Sequence, residues 1–346
     1  VENSDVFDLA SITKIGATVP FLMQMVDQGV LSLDDELGKH LDLDSTNKEH
    51  LVIRDVLAHQ AGLYPWIPFY KQTLDKDSVS GLMQLRDTLY CPVMSEEFSH
   101  KVADNIYLHH TYPDSIIKQI IDSELLDKKE YCYSDLGYYL LKKIIEERYN
   151  KGIGDVAANE FYKKLGMENL GYLPLNRIAE DRIIPTENDF LFRSQLLKGY
   201  VHDMGAAMQG GVGGHAGLFS NANDLAKLMQ MYLQNGVYAG ERYLSEEVVK
   251  EFTKCQFPEN ENRRGAGFDK AALADQEGGP ASENASPEGF GHTGFTGTLV
   301  WADPKTQIVY VFLSNRIYPD ASNSKLLDMD VRTDIMEVIY DSLNDE

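Results

Sequence analysis

Cysteine is scarce. Cys91, Cys132 and Cys255 are an odd number without metal-ligand spacing, so they supply neither a disulfide framework nor a zinc site. No stretch approaches the ~18 consecutive apolar residues of a membrane-spanning helix, and Val1-Glu2-Asn3-Ser4-Asp5 does not read as a signal peptide. Basic residues are outnumbered, 32 against 54 acidic, and the formal charge of −22 opposes binding to nucleic acid or an anionic membrane. The nine histidines form no His-Glu-x-x-His or comparable spacing, so neither a metal nor another cofactor is expected. Gly-x-Ser-x-Gly, the mark of the other common serine hydrolase fold, is missing. The glycine-rich run from Met204 to His215 lacks the lysine-serine/threonine ending of a phosphate loop and reads as a tight wall or turn.

What remains is a globular chain of 346 residues, 43% hydrophobic, long enough for two lobes. Near its start, Ser11-Ile12-Thr13-Lys14 opens a segment whose apolar residues at 12, 15, 19, 22, 23 and 26 recur as on a buried amphipathic helix. Positions i and i+3 share a helix face, so the Lys14 amine can reach the Ser11 hydroxyl, a nucleophile with an adjacent base. The same spacing at Ser45/Lys48 and Ser322/Lys325 falls in polar stretches that read as solvated loops. Helical patterns dominate from 11 to about 255, including 51–59, 115–126, 136–149 and 221–234. Residues 256–288 read as a long polar loop. The period then changes to two strands at 298–301 and 308–313, with a last helix at 328–343. Gly16 with Pro20 predicts a helix kink, because proline cannot donate to the residue-16 carbonyl and crowds it.

Five segments in order, Asp8-Leu9-Ala10-Ser11-Ile12-Thr13-Lys14, Leu57 to Leu63, Tyr133-Ser134-Asp135, Gly214 to Ser220 and Gly291-His292-Thr293-Gly294-Phe295-Thr296-Gly297, resemble the serine β-lactamase and penicillin-binding-protein superfamily. The similarity is strongest to class C-like esterases and D-peptidases. It implies an α/β fold: a lobe with an antiparallel sheet flanked by helices (1–50 and 200–346), a mainly helical lobe (51–199), and an active site in the groove between them. The family's N-terminal hairpin is expected at the sheet edge away from the nucleophile, before the point where this sequence starts. Relatives of this type also occur behind a family 3 glycoside hydrolase, which suggests an N-terminal domain of the same parent chain and a periplasmic or secreted setting.

The resemblance implies that Ser11 attacks an ester or amide carbonyl while Lys14 and Tyr133 share its proton, with the Lys14 amine pKa lowered by desolvation. The oxyanion would rest on the amides of Ser11 and Phe295, each such donor worth about 3 kcal/mol of barrier. Asp135, His292, Thr293, Gly294, Phe295 and Arg316 are the expected substrate-side residues. Asp135 stands where many relatives have asparagine, and His292 where lysine is common, so a group titrating near neutrality is expected in place of a fixed cation. Both changes weaken a site for anionic β-lactams and favour esters or peptides bearing D-amino acids. A true β-lactamase and a non-catalytic peptidoglycan-binding module are the alternatives. Asp135 is equally suited to capping the helix that follows it, while His59 and His215 read as loop-holding residues and Cys132 as a small packing side chain.

Overall fold

The protein is described by a computed structural model covering residues 1–78, 81–274 and 278–344. Its centre is a four-stranded antiparallel sheet in the order Asp269–Lys270, Phe290–Thr293, Leu299–Asp303, Ile308–Phe312. The expected hairpin at 298–313 is its second half, with Trp301 opposite Tyr310. Successive side chains of a strand face opposite ways, and the Leu299–Asp303 strand divides its residues accordingly. Leu299 and Trp301 pack with Tyr310, Met336 and Tyr340 under the C-terminal helix Val331–Asn344. Val300 and Ala302 face the main core, on the side covered by the Ala222–Leu233 helix. Asp303 accepts from the Ser286 amide and hydroxyl and from the Tyr340 hydroxyl, pinning that helix to the sheet.

At the N-terminus, Phe7–Asp8 pairs antiparallel with Phe219–Ser220, which fixes the chain just before Ser11. The helix expected from residue 11 is not continuous. A 3₁₀ turn at Ala10–Ile12 is followed by a π-helical turn, Lys14–Thr18, and only then by the α-helix Val19–Asp27. Proline supplies the reason. The Val19 amide reaches back to the Lys14 carbonyl, five residues away, and in that register the next donor, to Ile15, would come from Pro20, which has none. In an α register Pro20 would fail the Gly16 carbonyl instead. Two buried tyrosines satisfy both orphans: Tyr232 donates to Ile15 O and Tyr162 to Gly16 O, each at 2.8 Å. The expected kink is therefore a wide turn held by side chains from elsewhere.

The middle of the chain carries the expected helices, at Ile53–Leu57, Tyr112–Asp122 and Leu136–Tyr149, but is not largely helical. Leu74–Lys76 pairs with Met83–Leu85, Ile106–Leu108 is flanked by Tyr90–Cys91 and His100–Ala103, and Pro185–Asp189 pairs with Gln195–Lys198. These strands are two to five residues long, too short for an alternating pattern to stand out, and at least one turns on a left-handed asparagine, Asn105, with φ 53°. Lys48 also departs from a solvated-loop reading. Its side chain is buried, and its ammonium is held by the Ser123 carbonyl and Asn47 Oδ1, the latter at 2.7 Å.

Tyr232→Phe should leave the Ile15 carbonyl buried without a donor and lower stability by about 1–3 kcal/mol. Urea denaturation checks this, and an unchanged midpoint would show that water reaches the π turn.

Candidate active site

The turn that carries Ser11, the candidate nucleophile, is tightly built. Ala10, immediately before Ser11, takes the left-handed φ of 47°, a conformation that costs a non-glycine residue about 1–2 kcal/mol. The Leu9 amide donates to the Leu218 carbonyl, and the Thr298 hydroxyl to the Leu9 carbonyl. Gly294 is glycine because the strand turn runs against this same segment: a Cβ there would lie 2.1 Å from Thr298 Oγ1 and 2.4 Å from Leu9 O.

Lys14 is fully buried beneath Ser11. Its Nζ donates to Ser11 Oγ at 2.9 Å, to Asp135 Oδ1 at 2.6 Å and to the His215 carbonyl at 3.4 Å. Burial pushes its pKa down, as expected from the sequence, but the Asp135 carboxylate and then the Tyr133 hydroxyl more than offset that, and the net shift is upward. The expectation of a depressed lysine pKa is thus reversed, because the Asp135 carboxylate lies 2.6 Å from the buried ammonium. Asp135 makes no side-chain cap to the Leu136–Tyr149 helix. Ser134 does that work locally, its Oγ accepting from the Leu136 amide and donating to the Tyr64 carbonyl.

Tyr133 lies over this pair. Its ring centroid is 5.0 Å from Lys14 Nζ, 5.2 Å from the Arg264 guanidinium carbon and 4.2 Å from the His59 ring. Burial raises its phenol pKa, Lys14 and Arg264 pull it back, and the balance stays above the ordinary value. His59 accepts the Ser134 amide at Nδ1, 3.1 Å, which assigns the proton to Nε2. Burial and then Arg264 hold it neutral, well below the usual histidine range.

On the strand side, His292 is buried, with Nδ1 2.7 Å from the Thr293 carbonyl and Nε2 3.4 Å from Arg264 Nη1. It does not titrate near neutrality. Burial, then Arg264 and Lys14, push its pKa down to about 3, so it is a neutral imidazole donating to a carbonyl and facing a guanidinium. The fixed cation at this place is Arg264, whose Nη2 also reaches Asp269 and the Tyr131 hydroxyl, each at 3.1 Å. Sequence reasoning missed Arg264 because it lies in the stretch read as a polar loop. Two adjacent arginines there, five and six residues before Asp269, were the only signal. Phe295 is half exposed and sandwiched: the His202 ring lies parallel at 4.8 Å and the Arg316 guanidinium at 4.7 Å. Arg316 also donates to the Asn323 carbonyl. His202, likewise missed, pairs with Glu187 at 2.8 Å, while His215 pairs with Asp203 at 2.7 Å and stacks on Tyr139. Among the described residues no cluster of three or more His, Cys, Asp or Glu could hold a metal ion.

Comparison with known proteins gives the family and the fold. The sequence model of the beta-lactamase family matches residues 1–331. A Salmonella paratyphi B protein named "Putative D-alanyl-D-alanine carboxypeptidase" is 30% identical over 345 residues, covering 92% of this chain and 71% of that one. In fold, the chain is similar to a penicillin-binding protein homologue from Caulobacter crescentus, with a TM-score of 0.62 at 17% identity over 91% of this chain and 78% of the other. It is also similar to a D-stereospecific amidohydrolase from a Streptomyces species, with a TM-score of 0.55 at 18% identity over 87% and 79%. The chain belongs to the beta-lactamase family, and its fold is the mixed α/β one of that family.

Asp135→Ala would leave the Lys14 ammonium buried without its counter-ion and should destabilise the fold by about 3 kcal/mol. Because the pair raises the lysine pKa in the folded state, its contribution is present below the ordinary lysine pKa and is lost as pH rises beyond it. Thermal unfolding at pH 7 and above pH ~11 should therefore show a gap between variant and parent that closes at the higher pH. A gap that is zero at pH 7 refutes the pair's role.

Proposed function

We propose that this chain is a serine hydrolase that works through an acyl-enzyme on Ser11, with an ester or a peptide bearing D-amino acids as substrate. The observation that carries the reading is the proton path beneath Ser11: hydroxyl to Lys14 amine at 2.9 Å, and Lys14 to Asp135 at 2.6 Å. At rest Lys14 is an ammonium and cannot act as a base. Passing its proton to Asp135 frees the amine lone pair, which then takes the Ser11 proton as the oxygen attacks the carbonyl. Tyr133, whose ring lies within about 5 Å of both the Lys14 ammonium and the Arg264 guanidinium, would deliver a proton to the leaving group and take one from the water that releases the acyl group. The amides of Ser11 and Phe295 would hold the oxyanion.

The charges around the site support the choice of substrate. Lys14 is paired with Asp135 and His292 is uncharged, so neither position offers an anionic β-lactam a free cation; the positive charge that remains is on Arg316 and on Arg264, which shares the single carboxylate of Asp269 with Arg263. The names of the Salmonella relative and of the Streptomyces amidohydrolase point to D-amino-acid substrates, and peptidoglycan peptides are the natural class for a periplasmic or secreted enzyme of this kind.

The test is intact-mass measurement after exposure to a fluorophosphonate and, separately, to a penicillin. The phosphonate should add to the parent and not to Ser11→Ala, and Tyr133→Phe should label or turn over roughly 10²–10⁴-fold more slowly. Labelling that persists in Ser11→Ala, or none in the parent, overturns the assignment. A stable penicilloyl adduct would move the substrate towards D-alanyl peptides.

A further inference from the structure

A buried carboxylate beside the nucleophile turn has no part in the chemistry described so far. Asp8 is 3% exposed. Its Oδ1 accepts the amide of Ala10 at 2.9 Å, and its Oδ2 accepts the amide of His202 at 2.6 Å. Ala10 is the left-handed residue that aims Ser11, and His202 is the residue whose imidazole stacks flat against Phe295. The Asp8 carbonyl in turn accepts from the hydroxyl of Thr296, next to Phe295, at 2.7 Å. One residue thus ties together the two segments whose amides are assigned to the oxyanion.

We propose, building on the serine hydrolase reading, that ionised Asp8 is the positioning residue that sets the distance between the Ser11 and Phe295 amides, and that its protonation switches the site off. An ionised carboxylate offers an acceptor to each amide. The protonated acid carries a hydrogen on one oxygen, which then confronts an N–H instead of accepting from it. Either the strained Ala10 turn or the His202 segment must then shift, and a shift of about 1 Å at such a site can slow a reaction 10²-fold.

The surroundings put this switch in a useful range. Burial raises the Asp8 pKa to about 6, against the two amide hydrogen bonds and His202, which lower it, with Asp203 adding to the rise. The other charged groups packed around it are Glu187, bonded to His202; Arg193, bonded to the His202 carbonyl and 3.6 Å from Glu187; His215, bonded to Asp203; and Arg316 beyond Phe295. His202 is itself held above its usual pKa once the Glu187 carboxylate offsets its burial. Because the folded-state pKa of Asp8 lies above the ordinary carboxylate value, its own contribution to stability improves as pH falls through 6. Stability and activity therefore respond to this one proton in opposite directions, which a purely structural aspartate would not show.

The test follows the rate of fluorophosphonate labelling of Ser11 from pH 4.5 to 8, alongside thermal unfolding, for the parent, Asp8→Asn and Asp8→Glu. The parent should lose reactivity as pH falls, with a midpoint near 6. Asp8→Asn should be at least ~10-fold slower at pH 7, lack that acid limb, and gain stability relative to the parent at pH 7 but not at pH 5. Asp8→Glu, which keeps the charge on a longer side chain, should keep a limb below a lower plateau and covers the case in which the asparagine variant does not fold. Plateaus unchanged in both variants, or a limb near 6 that survives in Asp8→Asn, overturn the proposal. A parent unlabelled at every pH overturns the hydrolase reading and this inference with it.

Discussion

The site depends on a fully buried ammonium that has one carboxylate to pair with. Desolvation alone would lower the Lys14 pKa and favour the free amine, a ready base. Asp135 reverses that balance. The lysine is charged at rest, the tyrosine above it is a neutral phenol, and His59 and His292 are kept neutral by burial and then by the cations Arg264 and Lys14. On the proposed function, chemistry at Ser11 would begin with a proton moving within the Lys14–Asp135 pair, because the lysine beside the serine is charged.

The scaffold that holds this pair is set by backbone constraints as much as by packing. In an α register the Pro20 ring would crowd the Gly16 carbonyl at the base of the Ser11 segment; the chain widens into a π turn, and two tyrosines from other elements donate to the carbonyls left over. Functional sites often sit beside such widened turns. Here it lets Lys14 emerge at the top of the turn, where it meets Ser11, Asp135 and the His215 carbonyl together. The strand with His292 closes the other side only because Gly294 allows its backbone to lie against Leu9.

The parts legible in the sequence were those written in local order. Ser11 and Lys14 share a turn whatever its helical type, Tyr133 and Asp135 sit just before a helix with a clear apolar face, and the 298–313 hairpin alternates strongly enough to be read. The short strands between 74 and 108 were hidden because two to four residues give no period. Arg264 and His202 were hidden for another reason: their importance comes from contacts across the chain, Arg264 with Tyr131, Tyr133 and His292, and His202 with Asp8 and Phe295. The protonation states failed in the same way. His292 looks like a group that titrates near neutrality until its burial and its guanidinium neighbour are known, and Lys14 looks like a depressed amine until Asp135 is placed 2.6 Å away.

The most direct measurement is the titration of Lys14 itself, by NMR of the lysine side chain with Lys14→Arg to assign the signal. The account predicts an ammonium that persists through neutral pH and gives up its proton only above the ordinary lysine value. A side chain that is already a free amine at pH 7 would contradict it, returning the site to one in which lysine is the resting base.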